Sequence, residues 1–191
     1  IAVMQLVERG EVDLDAPVTT YLPSFKPTNP FGTPITLRHL MSHRAGLVRE
    51  PPVGHYFDDT APTLAATVDS LNRTTLVYAP GTRTKYSNAG IAVVGRVLEV
   101  IAKRPFADAL RDRVLEPLGL RKSAFAPSPA VTQDLAKAFM WTYHGTRFDA
   151  PTFQLGMAPA GSMYSTVTDL GRFMSALFER GATLKPETLE A

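Results

Sequence analysis

The sequence predicts a mainly helical domain with few strands. Three observations predict it. Apolar residues return at helical spacing, with Ile91, Val94, Leu98 and Ile101 in one stretch and Leu170, Phe173, Met174 and Leu177 in another. Helix-start signals precede such runs, at Thr36 and in the capping pattern Thr166-Val167-Thr168-Asp169. Alternating apolar and polar runs, the mark of half-buried strands, are scarce.

The elements follow in order. Ile1, Met4, Leu6 and Val7 give a first helix, with Gly10 suited to its end. Asp15 is expected to cap a short helix with Pro17 in its first turn, while Leu14 and Val18 point inward. Pro23, Pro27, Pro30 and Pro34 mark an irregular loop, since proline offers no backbone donor. Thr36 to His43 reads as a helix capped by Thr36 and ended by Gly46. Arg49 to Ala61 reads as a surface loop, and Thr63 to Leu71 as a helix with Leu64, Val68 and Leu71 on one side.

Pro80-Gly81 then makes a turn into a polar segment that runs straight into the helix of Ile91 to Ile101. Gly90 and Gly95 in that helix permit close packing, at roughly 1 kcal/mol each relative to Ala. Pro105 opens a helix through Val114 carrying Phe106, Leu110 and Val114, and Leu115 to Leu120 closes it with an apolar turn. Ser123 to Phe153 is less regular. There, Ala136, Phe139, Met140, Trp141 and Tyr143 read either as a strand or as a buried irregular stretch. Pro159 to Tyr164 is a turn of small residues. The helix from Thr166 is expected to end at Gly181, and Pro186 stands near the start of a last one.

Composition excludes several functions. The 191 residues are 45% hydrophobic and 20% charged, enough for a core without staples. No cysteine is present, which removes disulfides, a thiolate nucleophile and zinc-cysteine sites. Compartment stays open. Net charge is only +2, and the densest basic group (Arg111, Arg113, Arg121, Lys122) is interrupted by Asp112 and Glu116. It reads as a solvated helix face rather than a nucleic-acid footprint. No apolar run approaches the ~20 residues of a membrane span. Both ends fall inside helical patterns, so 1–191 is expected to be a single partial domain, truncated at both ends.

The polar triplet Tyr86-Ser87-Asn88 is the candidate site. In an extended stretch Tyr86 and Asn88 share a face and Ser87 points away. One reading makes Tyr86 a proton-moving phenol beside a positioning amide. The other makes Ser87 or Asn88 the cap of the following helix, with Tyr86 packing nearby. Bringing a tyrosine pKa from about 10 to ~7 takes about 4 kcal/mol of preferential stabilisation, so a cation is required. Lys85, adjacent in sequence, faces the wrong way, and a lysine from elsewhere is needed. His39 and His43 are four apart, a metal-compatible spacing, but no further ligand accompanies them. Ser42 and His43 are helical neighbours that do not face each other. His55 and His144 are lone, and Tyr164 and Ser165 either line a cleft or serve capping and packing.

Several stretches resemble the serine β-lactamase-related family of class C β-lactamases, D-alanyl-D-alanine carboxypeptidases and family VIII-type esterases. Ile1 to Gly10 is similar to the helix after the family's nucleophile, and Leu14 to Val18 to the next turn. Thr36-Leu37-Arg38-His39-Leu40-Met41-Ser42-His43-Arg44-Ala45-Gly46-Leu47 resembles the signature T-x-R-H-L-L-S-H-T-S-G-L. Pro80-Gly81 followed by Tyr86-Ser87-Asn88 resembles P-G…Y-S-N. Leu115 to Leu120 and Pro159 to Ser165 resemble further blocks, in order along nearly the whole chain.

The resemblance implies an α+β parent fold, β-lactamase/transpeptidase-like, with this chain mainly its helical domain. It implies acyl-enzyme chemistry on an ester, amide or β-lactam, with Tyr86 catalytic and Asn88 binding substrate and a lysine. No cofactor is implied, and the partner is a small-molecule or peptide substrate of the full-length parent. The chain departs from the pattern in two places. No serine has Lys three residues on, and Ser70-Leu71-Asn72-Arg73 offers only an arginine, which stays protonated. No Lys-Thr-Gly or His-x-Gly follows either. Truncation accounts for both absences, so the chain alone is expected to be inactive. The alternative is a non-catalytic binding or scaffold module with the same fold. Oligomeric state, compartment and the choice among ester, peptide and β-lactam stay open.

Overall fold

A computed structural model describes residues 1–152, 154–179 and 182–190, with only the backbone of Ala130. The helices are α1 (Ala2–Glu8), α2 (Leu37–Met41), α3 (Leu64–Ser70), α4 (Asn88–Ala102), α5 (Phe106–Leu110), α6 (Pro129–Thr132), α7 (Val167–Phe178) and α8 (Pro186–Leu189). One antiparallel hairpin joins β1 (Phe139–Trp141) to β2 (Arg147–Asp149), with Met140 opposite Phe148. The expected mainly helical chain with few strands is therefore what forms.

The core is built around α4. It packs on α2 and α3, meets α1 and α5, and lies against the 3-10 turn Ala158–Ala160. Its buried face is Ala89, Ala92, Val93, Val97 and Leu98. The sequence pattern places Ile91, Val94 and Ile101 on that face with Leu98, but these three are only partly buried. Small residues win the inner face because neighbouring helices press close on it. Gly95 shows how close, since a Cβ there would overlap the Pro159 ring.

Several local expectations change. The short turn after Pro17 is a 3-10 helix at Val18–Thr20, and no side chain caps it. The Asp15 carboxylate instead takes both arms of Arg38, at 2.7 and 2.8 Å. A bidentate guanidinium outcompetes a single backbone N–H for that carboxylate. Thr36 does cap α2, accepting the His39 N–H at 3.2 Å. The helix ends at Met41, however, and His43 takes the left-handed conformation (φ 57°) rather than extending it. Gly46 makes a later turn (φ 74°) that presses on the Tyr78 carbonyl.

Farther on, the helix from Pro105 leaves α geometry after Leu110 and widens into a π turn, Arg111–Leu115. The basic group there is solvated and paired, Arg111 with Asp108 at 2.7 Å and Lys122 with Asp134 at 2.5 Å. Residues 139–141 are a strand, but an exposed one, and Tyr143 is fully exposed. Thr166 caps α7 by accepting the Asp169 N–H, while the Asp169 carboxylate turns to the Lys122 N–H and the Ser123 hydroxyl. On α7, Leu170 and Met174 stay about half exposed instead of forming the buried face, which falls to Ala176. Gly181, the expected end of that helix, lies outside the described residues. No helix among the described residues is long and apolar enough to cross a membrane.

Candidate functional site

The candidate site is where two loops are stitched together. One runs from His43 to Glu50, the other from Val77 to Ala89. Backbone bonds lace them, from the N–H groups of Val77, Gly81, Lys85 and Ala89 to the carbonyls of Gly46, Arg44, His43 and Arg49, at 2.8 to 3.1 Å. Such a ladder of irregular bonds fixes loop positions without a sheet, because each buried backbone group finds a partner.

Ser87 is the central rivet. Its backbone is extended, and its hydroxyl caps α4 by accepting the Gly90 N–H at 2.9 Å. The same hydroxyl donates to the Val48 carbonyl at 2.7 Å, and the Ser87 N–H reaches His43 Nδ1 at 3.3 Å. The capping role and a functional role for its neighbours are thus compatible, because the serine caps while Tyr86 and Asn88 are free to do other work.

The structure puts Tyr86 and Asn88 in different surroundings. Tyr86 is 53% exposed, while Asn88 is 2% exposed. The chain enters α4 at Asn88, and that turn carries the amide inward. The Tyr86 ring stacks on the His43 imidazole, centroid to centroid 4.5 Å with a 36° tilt. The Arg49 guanidinium carbon lies 5.8 Å from the same ring. Asn88 Nδ2 donates to Glu50 Oε1 at 2.8 Å, and Arg49 Nε lies 3.3 Å from that oxygen. Tyr86, Arg49, Glu50 and Asn88 therefore form one chain of contacts. Buried Asn88 Oδ1 and Glu50 Oε2 have no hydrogen-bond partner among the described residues.

Two members of this group, Arg49 and Glu50, were not legible as site residues in the sequence, and their neighbour His43 stood out only by its spacing from His39 and its place beside Ser42. The sequence signal for Arg49 and Glu50 was that a charged pair comes just after Leu47-Val48, past the end of the T-x-R-H-L block. His43 sits past the end of α2, against Tyr86 and Ser87, so it and His39 are not two imidazoles on one helical face. His39 instead lies under Gly81, and burial, followed by the nearby Arg44 charge, lowers its pKa below the usual histidine value. Lys85 contributes its backbone N–H to the His43 carbonyl.

The other sequence candidates lie elsewhere. Tyr164 lines a cavity of about 550 Å³ together with Tyr56, Lys137 and Asp149, at the root of the hairpin. Ser165 bonds Ser123 at 2.8 Å, inside the Asp169 network, which is a structural role. His55 Nδ1 accepts the Phe57 N–H, and His144 packs edge-on against Tyr143.

A family model described as Beta-lactamase matches residues 1–191. The chain is 32% identical over 224 residues to Esterase EstB of Burkholderia gladioli, covering 99% of this chain and 56% of that protein. It is 29% identical over 174 residues to the D-alanyl-D-alanine-carboxypeptidase/endopeptidase AmpH of Escherichia coli (strain K12), covering 90% of this chain and 44% of that protein. The solved structure of EstCE1, a hydrolase with promiscuous acyltransferase activity, superposes with a TM-score of 0.82 at 25% identity, covering 98% of this chain and 58% of that one. The chain spans about half the length of these relatives.

Proposed function

Because the chain belongs to the beta-lactamase family, we propose that it is an interior part of a serine hydrolase that works through an acyl-enzyme. In this reading Tyr86 is catalytic and Asn88 is the binding residue. A serine from a Ser-x-x-Lys segment attacks the carbonyl carbon of an ester, amide or lactam, and its proton passes to the lysine–tyrosine pair. The C–O or C–N bond then breaks, and Tyr86 returns a proton to the leaving group. Water attacks the acyl-enzyme and releases the acid.

One observation carries the proposal. The buried Asn88 Oδ1 is unpartnered among the described residues, one residue from the Ser87 cap that follows Tyr86. A buried acceptor left unpaired costs roughly 1–3 kcal/mol, and a lysine ammonium would satisfy it. The Arg49 guanidinium carbon stands 5.8 Å from the Tyr86 ring and helps to hold it at the entrance to α4. The relatives named as an esterase and a carboxypeptidase support acyl transfer as the reaction class.

The test is an assay of this chain and of the full-length protein with a chromogenic ester and a cephalosporin. The full-length protein is expected to turn over at least one of them, with a burst of product as the acyl-enzyme fills. The 191-residue chain, which carries no Ser-x-x-Lys, is expected to show none. Saturable turnover by the chain alone would refute the assignment of the nucleophile.

A further inference from the structure

We propose that the β1–β2 hairpin is a docking tip for an anionic lipid surface, which it enters to the depth of the headgroups. This goes beyond the acyl-transfer reading and stands independently of it.

The hairpin is apolar where solvent favours polar residues. Trp141 is 66% exposed and Tyr143, at the turn, 100%, while Phe139, Met140 and Phe148 are each about half exposed. Cross-strand pairing sets Trp141 opposite Arg147 and Met140 opposite Phe148. Phe139 and Trp141 therefore share one face, and Met140 and Phe148 share the other. Contiguous exposed apolar surface of this kind marks an interaction site. A protein partner covers one face of such a ribbon and leaves the other wet. The interfacial layer of a bilayer surrounds a tip on every side. Trp and Tyr prefer that layer, because their rings are apolar while the N–H and O–H stay hydrated.

Charge selects the kind of surface. Residues 135–148 contain Lys137, His144 and Arg147 and no carboxylate. The Arg147 guanidinium lies over the Phe139 ring, 4.4 Å from its centroid, and neither it nor Lys137 forms an ion pair among the described residues. The carboxylates that flank this stretch in sequence stand at the root. Asp134 is taken by Lys122 at 2.5 Å, and Asp149 lies across from Phe139. Basic side chains beside exposed aromatic rings suit lipid phosphates, with the rings entering the layer beneath.

The hairpin has the shape for shallow entry. The Ala150 N–H donates to the Ala138 carbonyl at the root at 2.9 Å, and the Thr142 N–H to the Thr146 carbonyl at the turn at 2.8 Å. Gly145 is left-handed (φ 79°), and its N–H returns to the Thr142 carbonyl at 3.0 Å. These bonds use backbone groups that would otherwise leave water bare. Three residues per strand, at about 3.3 Å apiece, raise the turn roughly 10 Å above the root. Interfacial elements bury about 5–10 Å, so the reach matches. In a two-stranded sheet each strand keeps one edge of unpaired N–H and C=O groups, which hydrated headgroups satisfy and hydrocarbon does not. The tip therefore stops at the headgroups.

The experiment sediments the full-length protein with vesicles of phosphatidylglycerol and phosphatidylcholine in equal parts, and with vesicles of phosphatidylcholine alone. Wild type is expected to bind the anionic vesicles at least about tenfold more tightly, with affinity falling as salt rises. Trp141→Ser combined with Tyr143→Ser should lose at least about tenfold on the anionic vesicles. Lys137→Gln combined with Arg147→Gln should also weaken binding there, by about fivefold per charge, and should remove most of the salt dependence. The emission of Trp141, taken as the difference between wild type and Trp141→Phe, should move to the blue on those vesicles and be quenched by brominated lipid. Should the serine pair fail to fold, the glutamine pair and the Trp141 emission decide alone. No binding by wild type, or binding that neither pair of substitutions weakens, would overturn the proposal. So would a Trp141 emission already shielded from iodide without vesicles, since another segment or a second copy would then cover the hairpin.

Discussion

Tyr86 keeps half its surface in solvent while two neighbours hold its ring, His43 by stacking and Arg49 by charge. An exposed phenol held in this way loses little on removal of its hydroxyl, because no buried group depends on it. Tyr86→Phe in the full-length protein is therefore expected to lower kcat by about 10²–10⁴-fold, the usual worth of a positioned acid–base group. Its melting temperature should stay close to wild type. A kcat within threefold of wild type would remove the tyrosine from the mechanism. His43 bears on the same point. Its left-handed backbone, unusual for a residue with a Cβ, swings the imidazole off α2 and onto the phenol. Its Nδ1 then accepts the Ser87 N–H, which ties the ring that supports Tyr86 to the residue that caps α4.

Among the elements, α4 decides the most. Its N-terminal cap sets Asn88, and its glycines set how near the neighbouring segments come. Gly95→Ala weighs two opposing effects. Alanine gains about 1 kcal/mol of helix propensity. The added Cβ, however, meets the Pro159 ring, whose atoms are rigid, and overpacking of this kind costs about 1–3 kcal/mol. We expect a net loss of about 1 kcal/mol, measured by urea unfolding. Gly171→Ala on α7 is the control. No atom outside its own helix lies within 4 Å of the added Cβ, so only propensity acts and stability should rise by about 0.5–1 kcal/mol. Stabilisation by Gly95→Ala would show that the turn at Ala158–Ala160 yields easily and does not fix α4.

At the scale of the whole molecule, stability should depend on acid in two steps. Burial holds the His39 pKa below 6.5, so the folded state binds that proton more weakly than the unfolded chain does. The stability this group contributes is complete above pH 6.5 and is lost as pH falls from there through the folded pKa. Asp15 is held below 3.8 by its Arg38 partner, and Asp134 is held low by Lys122. Their contributions are present above pH 3.8 and lost as pH falls further. The exposed pairs are open to screening by salt, and the His39 step less so, because burial is its first cause and the Arg44 charge only its second. Thermal unfolding from pH 7.5 to 3 should show the first decline below pH 6.5, and His39→Gln should flatten it. An unchanged decline in that variant would assign it to another group. Leu170, Met174 and Phe178 form an exposed apolar stripe on α7 at the same scale, and helical periodicity alone had marked the first two for burial.

Local signals in the sequence determined much of this protein. The caps at Thr36 and Thr166, the helices at residues 64–70 and 88–102, and the ordered blocks around Tyr86-Ser87-Asn88 were all legible. Each depends on neighbours within a few residues or on a motif read along the chain. Tertiary structure decided the rest, for reasons of competition and approach. Asp15 gave up its expected cap because Arg38, 23 residues away, offered two charged donors. The inner face of α4 went to alanine, valine and glycine because the Pro159 turn packs against it. Arg49 and Glu50 looked like the start of a surface loop, and only the stitching of residues 43–50 onto 77–89 brought them to the tyrosine and the asparagine. Spacing along the chain records which side a residue faces, but it carries no record of which distant donor or cation will be waiting there.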